Sequence, residues 1–355
     1  MHEDLMQAKQ FNALPFFERM FISNTVEEFR LTFQQCRFLI ETATDLQLWE
    51  AGSLSDFWSA GEAEHLTGRD RGRQLITRLR ERIAALRSEP IEYAAEKALS
   101  EPAGHHIALK YLEIDSAAPI LGTCPVAGEK TRCCNLLTLD AVQQCGYGCS
   151  YCSIQTFYDT GNIYFHANLA ERLASLELDP DTLYHIGTGQ SSDSLMWQNR
   201  NNLLGDLFTF ADRHPNVILE LKTKSPAAAW SSELTVPGNV IATWSLNAPT
   251  VISHEEHRTA ALEQRLAAAR KVADNGVLVG FHFHPIVYFR GWEAEYESIV
   301  RKIEAMFSPE EVVMVSLGTL TFIKPVMKKL RESGIRSKVL KIPLSDASGK
   351  YSYPL

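Results

Sequence analysis

Through the first third of the chain, apolar residues recur at steps of three or four. The runs Val26-Glu-Glu-Phe29-Arg-Leu31-Thr-Phe33 and Leu75-Ile-Thr-Arg-Leu79 show it most clearly, so residues 1–110 read as a mostly helical N-terminal region. Pro102, Gly104, Pro119, Gly122, Pro125 and Gly128 then punctuate the sequence, and 111–132 reads as a connecting segment. From 133 to 355 the pattern changes to short β-prone runs alternating with amphipathic helices. Candidate strands are 136–142, 182–186, 217–221, 240–245, 277–283 and 312–317; the clearest helices are 258–273 and 292–307. Strands alternating with helices predict right-handed parallel βαβ units, with a site at the C-terminal strand edge. About six strands are too few for a closed eight-stranded barrel, so the expected fold is α/β, a partial (β/α)6-type barrel.

A chain of 355 residues can bury a substantial core. No apolar run approaches the roughly 20 residues that span a bilayer, and Met1-His2-Glu3-Asp4 lacks a basic-then-apolar signal pattern, which points to the cytoplasm. The formal net charge of -8 gives no global basic surface for gripping duplex nucleic acid. Seven cysteines are too few for a disulfide scaffold. Three of them crowd into one short segment, which changes the picture.

That segment is Cys145-Gly-Tyr-Gly-Cys149-Ser-Tyr-Cys152, placed directly after the first candidate strand. Three thiolates on a glycine-containing loop can hold three irons of a cubane cluster and leave the fourth iron open for a chelating ligand. The competing readings are a structural zinc site, which normally wants four ligands that His166 or His185 would have to complete, and a set of buried core cysteines.

The spacing and its place before a partial barrel resemble the radical S-adenosylmethionine superfamily. Membership implies a [4Fe-4S] cluster on Cys145, Cys149 and Cys152, with S-adenosyl-L-methionine (SAM) chelated at the open iron and cleaved to an organic radical. Further blocks follow in order: Cys152-Ser-Ile-Gln-Thr156, Gly189-Gln190-Ser191-Ser192-Asp193, Thr223-Lys224, Trp244-Ser245-Leu-Asn247, Arg265 to Gly276, Gly280-Phe281, Pro285-Ile286 and Gly291-Trp292. Together they resemble the spore photoproduct lyase family, whose members split a thymine dimer in DNA. The resemblance implies that Ser191, Lys224, Ser245 and Asn247 surround SAM, with Lys224 as the cationic partner of its carboxylate. Gly189, in the turn Gly187-Thr188-Gly189, would face the cofactor's amino group, and Tyr151 stands between the last two ligands as in the lyases. Two positions depart. Gln190 stands where the lyases carry a hydrogen-donating cysteine, and Ser153 where they carry a relay tyrosine.

Other residues carry chemistry of their own. Cys133 and Cys134 are vicinal thiols, able to bind a soft atom such as arsenite or to donate the hydrogen atom that Gln190 cannot. His282 and His284 share one face of a strand and would look toward the substrate, with Tyr288 and Arg290 as neighbours for an anionic group. Cys36 and Cys124 read as structural. The leading expectation is a radical SAM lyase or transferase acting on a small molecule, speculatively arsenite, with flavodoxin or ferredoxin as reductant. The alternatives are pyrimidine-dimer repair in DNA with a relocated hydrogen donor, and a zinc- or cluster-stabilised binding module.

Overall fold

Arg30 interrupts the first amphipathic run by adopting a left-handed conformation, φ 47°. In the computed structural model, which describes residues 3–94, 109–124, 136–158, 161–343, 345–347 and 350–352, helix α1 (Phe16–Phe29) therefore ends there. Helix α2 (Phe33–Leu48) restarts behind Thr32, whose hydroxyl accepts from the Gln35 amide while the Gln35 side chain accepts from the Thr32 amide. This capping box satisfies two otherwise orphaned donors, and it explains why one continuous period yields two helices.

The chain forms two units: Met1–Glu92 with Tyr288–Arg290 and Phe322–Leu355, and Tyr93–Val287 with Gly291–Thr321. In the first, α1, α2 and α3 (Gly68–Ser88) pack Ile22, Val26, Leu39, Leu46, Leu75 and Leu79 into a core. Gly72 is required by a close approach, since a Cβ there would stand 2.7 Å from Phe29 Cβ. Buried Asp45 holds Arg87 at 3.0 Å and Arg331, from the helix Lys324–Ser333, at 2.7 and 2.8 Å. The C-terminal helix thus belongs to the helical unit, whereas the sequence pattern assigned all of 133–355 to the barrel region.

The second unit is mixed α/β. The segment expected to be only a connection contributes strands β1 (Lys110–Ile114) and β2 (Leu121–Thr123), too short and too interrupted by Pro and Gly to show a period. The predicted strand at 136–142 splits into β3 (Leu137–Leu139) and β4 (Val142–Gln143), which join different sheets. Then follow β5 (Asn162–His166), β6 (Tyr184–Gly187), β7 (Val217–Thr223), β8 (Val240–Ser245), β9 (Val279–Phe283) and β10 (Val312–Leu317). The main sheet runs β10-β9-β8-β7-β6-β3-β2. Its first six members in that order are parallel and β2 is antiparallel to β3, leaving β2 and β10 as the two edges. A small second sheet pairs in the order β1-β5-β4.

Helices α4 (Leu169–Ala174), α5 (Leu203–Arg213), α6 (Pro249–Glu255), α7 (Leu262–Asp274) and α8 (Trp292–Met306) fill the crossovers. The predicted helix at 258–273 starts late, because Arg258 has φ 61°. Strand alternation sorts the main sheet's faces. Leu219, Leu221, Trp244 and Phe281 are fully buried apolar residues on one face, each worth about 1.5–3 kcal/mol of burial. His185, Glu220, Thr243 and His282 meet on the other. None of the described helices is long and apolar enough to cross a membrane.

Candidate cluster and cofactor site

The chain leaves β3 at Asp140, pairs briefly as β4, and turns at Gln144 and Gly148, both with φ 72°. Cys145, Cys149 and Cys152 follow on this loop. Cys152 N donates to Cys149 O at 3.0 Å, and the Gln155 side chain donates to the same carbonyl. The loop is fixed to the end of α6: Ser150 N donates to Glu255 O at 2.8 Å, the Ser150 hydroxyl donates to the Glu255 carboxylate, and the Tyr151 hydroxyl donates to Glu256. Tyr93 adds a further donor to Glu255 at 2.9 Å.

Burial pushes the Cys145 thiol up to about 12, with Asp193 and Cys152 adding to the rise. Burial likewise raises Cys149 and Cys152, and each of the three thiols is raised by a neighbouring cysteine or by Glu256. Burial thus favours the neutral thiols, and a shared cationic centre would be what turns all three into thiolate ligands. Among the described residues no three His, Cys, Asp or Glu side chains converge closely enough for one metal ion. Three sulfurs on one loop match in number the protein ligands of a cubane cluster with one open iron, and His166, a possible fourth zinc ligand, instead meets Arg172 at 2.9 Å. When bound, a [4Fe-4S] cluster would be held by these three sulfurs.

A charged hub lies beside the thiols. Glu256, 3% exposed, receives Arg265 at 2.6 Å and Asn247 Nδ2 at 3.3 Å, and stands 4.0 Å from Lys224 Nζ. Burial alone would raise Glu256, but Arg265 and Lys224 bring its pKa down to about 2. Burial works against the Lys224 charge, yet Glu256 and Cys149 raise its pKa overall. Two cations face one carboxylate, so one positive charge remains for an anionic ligand.

The predicted cofactor residues divide under this geometry. Lys224 is a largely buried cation 4.0 Å from Glu256. Gly189 lies at the end of β6, where a Cβ would meet Lys222 Cβ at 2.7 Å, so the glycine answers to packing as well. Ser245 is buried, and its carbonyl accepts from Arg265 at 2.8 Å. Ser191 is less available than expected, because its hydroxyl donates to Val142 O at 2.8 Å and ties the cluster loop down. Asn247 is committed at both ends: Nδ2 to Glu256 and Pro285 O, Oδ1 to Tyr296 at 2.5 Å and the Ala248 amide at 2.9 Å. Tyr151, 6% exposed and bonded to Glu256, positions the loop.

His282 and His284 do share a face, with ring centroids 5.4 Å apart. His282 Nε2 lies 2.6 Å from Glu220, which also accepts from Thr243 at 2.6 Å and stands 2.9 Å from His185. Burial lowers both pKa values, His284 to about 4, so both rings are neutral at pH 7. Ser316 meets His284 at 3.0 Å. Tyr288 and Arg290 belong to the other unit, where Arg290 pairs with Glu92 at 2.5 Å and so is no free anion site. Cys133 and Cys134 lie outside the described residues.

Sequence reasoning missed Glu256, Asp193 and Glu220. Asp193 accepts from the Leu195 and Met196 amides, Thr223 and the Lys224 amide at 2.6–3.0 Å, clamping the turn after β6 to the end of β7. Glu220 and Lys222 alternate on one strand face, a signal that was present in Val217–Thr223. Cys124, read as structural, places Sγ 4.0 Å from Gln190 Oε1.

A model described as spore photoproduct lyase matches residues 141–351. The chain belongs to the spore photoproduct lyase family. The lyase of Clostridium acetobutylicum is 28% identical over 112 residues, 31% of this chain and 32% of that protein. The Bacillus subtilis lyase is 32% identical over 99 residues, 27% and 29% of the two chains. The aligned stretch thus spans about a third of these relatives' length. Two solved structures, a spore photoproduct lyase mutant with bound AdoMet and dinucleoside spore photoproduct and a lyase complexed with the dinucleoside photoproduct, each superpose with TM-score 0.52 at 23% identity, covering 61% of this chain and 68% of the other. They share the fold. The small-molecule reading, with arsenite on vicinal thiols and group transfer, gains nothing from any of these relatives, and family membership favours the dimer-repair alternative instead.

Proposed function

We propose that the protein is a radical SAM lyase that reverses a thymine-dimer photoproduct in DNA, with its hydrogen donor moved from position 190 to Cys124. The observation that carries the reading is the three-thiol loop beside Lys224, the cation left over by the Glu256 pair. A [4Fe-4S] cluster on Cys145, Cys149 and Cys152 would supply the electron that splits a carbon–sulfur bond of SAM to give a 5′-deoxyadenosyl radical. The chain's own residues do the rest. Lys224 binds the SAM carboxylate by a charge-assisted contact. Glu256, itself fixed by Arg265, holds Lys224 in place, and Asp193 holds the turn that faces it.

Gln190 cannot donate a hydrogen atom, because its amide N–H bond is too strong. Cys124 stands beside it with a weaker S–H bond and a free thiol. In the proposed cycle the 5′-deoxyadenosyl radical would take a hydrogen atom from the photoproduct, becoming 5′-deoxyadenosine, and the carbon–carbon bond joining the two thymines would break to leave a thymine carbon radical that takes the Cys124 hydrogen. The sulfur radical left behind would recover hydrogen from the methyl group of 5′-deoxyadenosine, and the adenosyl radical so re-formed would rejoin methionine as SAM, returning one electron to the cluster.

The test is repair of dinucleoside spore photoproduct by reconstituted, dithionite-reduced protein, read as thymidine dinucleotide by mass spectrometry. Wild type is expected to restore the dinucleotide, and Cys124→Ala to cleave SAM while yielding abortive adducts. Cleavage of SAM with the photoproduct untouched would overturn the substrate; clean repair by Cys124→Ala would overturn the donor.

A further inference from the structure

We infer that Glu255 tunes the cluster's reduction potential: its buried carboxylate, bridged between Tyr93 and the cluster loop, holds that potential low and makes the electron easier to release to SAM. The inference rests on the cluster assignment above and adds to it a residue outside the ligand set. Ser150 stands between Cys149 and Cys152 and is buried. Its hydroxyl donates to Oε2 of Glu255, while the Tyr93 hydroxyl donates to Oε1 at 2.9 Å. Glu255 is itself buried at the end of α6. The tyrosine is pinned in place: its ring packs on His254 with centroids 4.7 Å apart, and His254 Nε2 lies 3.2 Å from the carbonyl of Ala94. Burial and Glu255 raise the Tyr93 pKa well above its ordinary value, so the phenol stays a donor.

The potential of an iron–sulfur cluster falls with negative charge nearby and rises with N–H groups aimed at its sulfurs. The Tyr147 and Asp193 amides serve the Cys145 sulfur, and the Ile154 amide serves Cys152. The Ser150 amide, next after Cys149, instead donates to the Glu255 carbonyl at 2.8 Å, and the Ser150 hydroxyl is turned to the same residue. Glu255 thus draws two donors of the loop away from the sulfurs and brings a carboxylate against it. Its neighbour Glu256 pairs with Arg265 at 2.6 Å and faces Lys224. The two hydroxyls on Glu255 spread its charge without cancelling it. A clamp that served loop geometry alone would need an acceptor and no charge, so substitution separates the two roles.

The test is a redox titration of the full-length, reconstituted protein without SAM, with dithionite and mediators setting the potential and the reduced cluster read by electron paramagnetic resonance. At the wild-type midpoint, Glu255→Gln is expected to raise the reduced-to-oxidised ratio about tenfold, a shift of about 59 mV for one electron. Tyr93→Phe removes a dipole aimed at the carboxylate and leaves the charge, so it is expected to lower that ratio about twofold. Iron and sulfide content should match wild type in both. An unchanged midpoint in Glu255→Gln, or the same direction of shift in the two variants, would overturn the inference alone. Should Glu255→Gln assemble no cluster, Tyr93→Phe decides: a lowered ratio upholds the inference, and an unchanged or raised ratio overturns it. A wild-type protein that assembles no cluster would overturn the proposed function and this inference with it.

Discussion

Glu256→Gln is nearly isosteric, so its consequences are electrostatic. The carboxylate stands 2.6 Å from Arg265 and 4.0 Å from Lys224, all three side chains being at most 16% exposed. At an effective dielectric of 20, a pair 4 Å apart is worth about 4 kcal/mol. In the wild type, burial opposes the Lys224 charge and Glu256 overcomes it, raising the pKa. In the variant, burial and Arg265 act unopposed by the carboxylate and the pKa falls. The cation exists below the lysine pKa and is lost above it, so SAM affinity should hold at pH 6 and decline as pH rises. Losing one charge-assisted hydrogen bond corresponds to about tenfold or more. Equilibrium dialysis of SAM with the reconstituted protein between pH 6 and 9 measures this, with the wild type giving the cofactor's own titration. A variant whose profile superposes on the wild type would refute the argument that Lys224 is held cationic by Glu256.

The same carboxylate sets an acid limit. Its pKa of about 2 lies below the unfolded value near 4.5, so it contributes stability above pH 4.5 that is lost as pH falls toward 2. The second unit should unfold over that window, while Glu256→Gln, less stable at pH 7, should show a flatter acid limb by circular dichroism. Gly189→Ala would drive a Cβ to 2.7 Å from Lys222 Cβ and 3.0 Å from its carbonyl. A cost of about 1–3 kcal/mol in urea unfolding follows, together with weaker SAM binding. Arg331→Ala removes two of the bonds to buried Asp45. It should lower the stability of the helical unit by about 3 kcal/mol, read as an earlier thermal transition that leaves SAM affinity unchanged.

Much of the site was legible because its signal is local. The C-x3-C-x2-C spacing lies within eight residues, strand 240–245 was read at its observed bounds, and the alternation at Phe281-His282-Phe283-His284 placed both histidines on one face. What escaped is non-local. Asp193 acts through Thr223, thirty positions away; Glu220 meets His282 across sixty-two; Cys124 reaches Gln190 across sixty-six. No period or spacing encodes such pairs, because they arise only when parallel strands bring distant segments to one sheet edge. Asn247 shows the converse dependence on distant segments. Its place in a family block predicted a cofactor ligand, and the fold adds Glu256, Pro285, Tyr296 and Ala248 as partners of its amide. The boundary misreadings at Arg30 and Arg258 share one cause, a left-handed backbone at a non-glycine residue.

The central claim is that Cys145, Cys149 and Cys152 hold a cluster with an open iron for SAM. Electron paramagnetic resonance of the dithionite-reduced, anaerobically reconstituted protein, with and without SAM, tests it most directly. The account predicts a [4Fe-4S]+ signal whose g-values shift when SAM is added and which disappears when all three cysteines are replaced by alanine. A protein that binds zinc without an iron–sulfur signal, or a cluster signal indifferent to SAM, would contradict it.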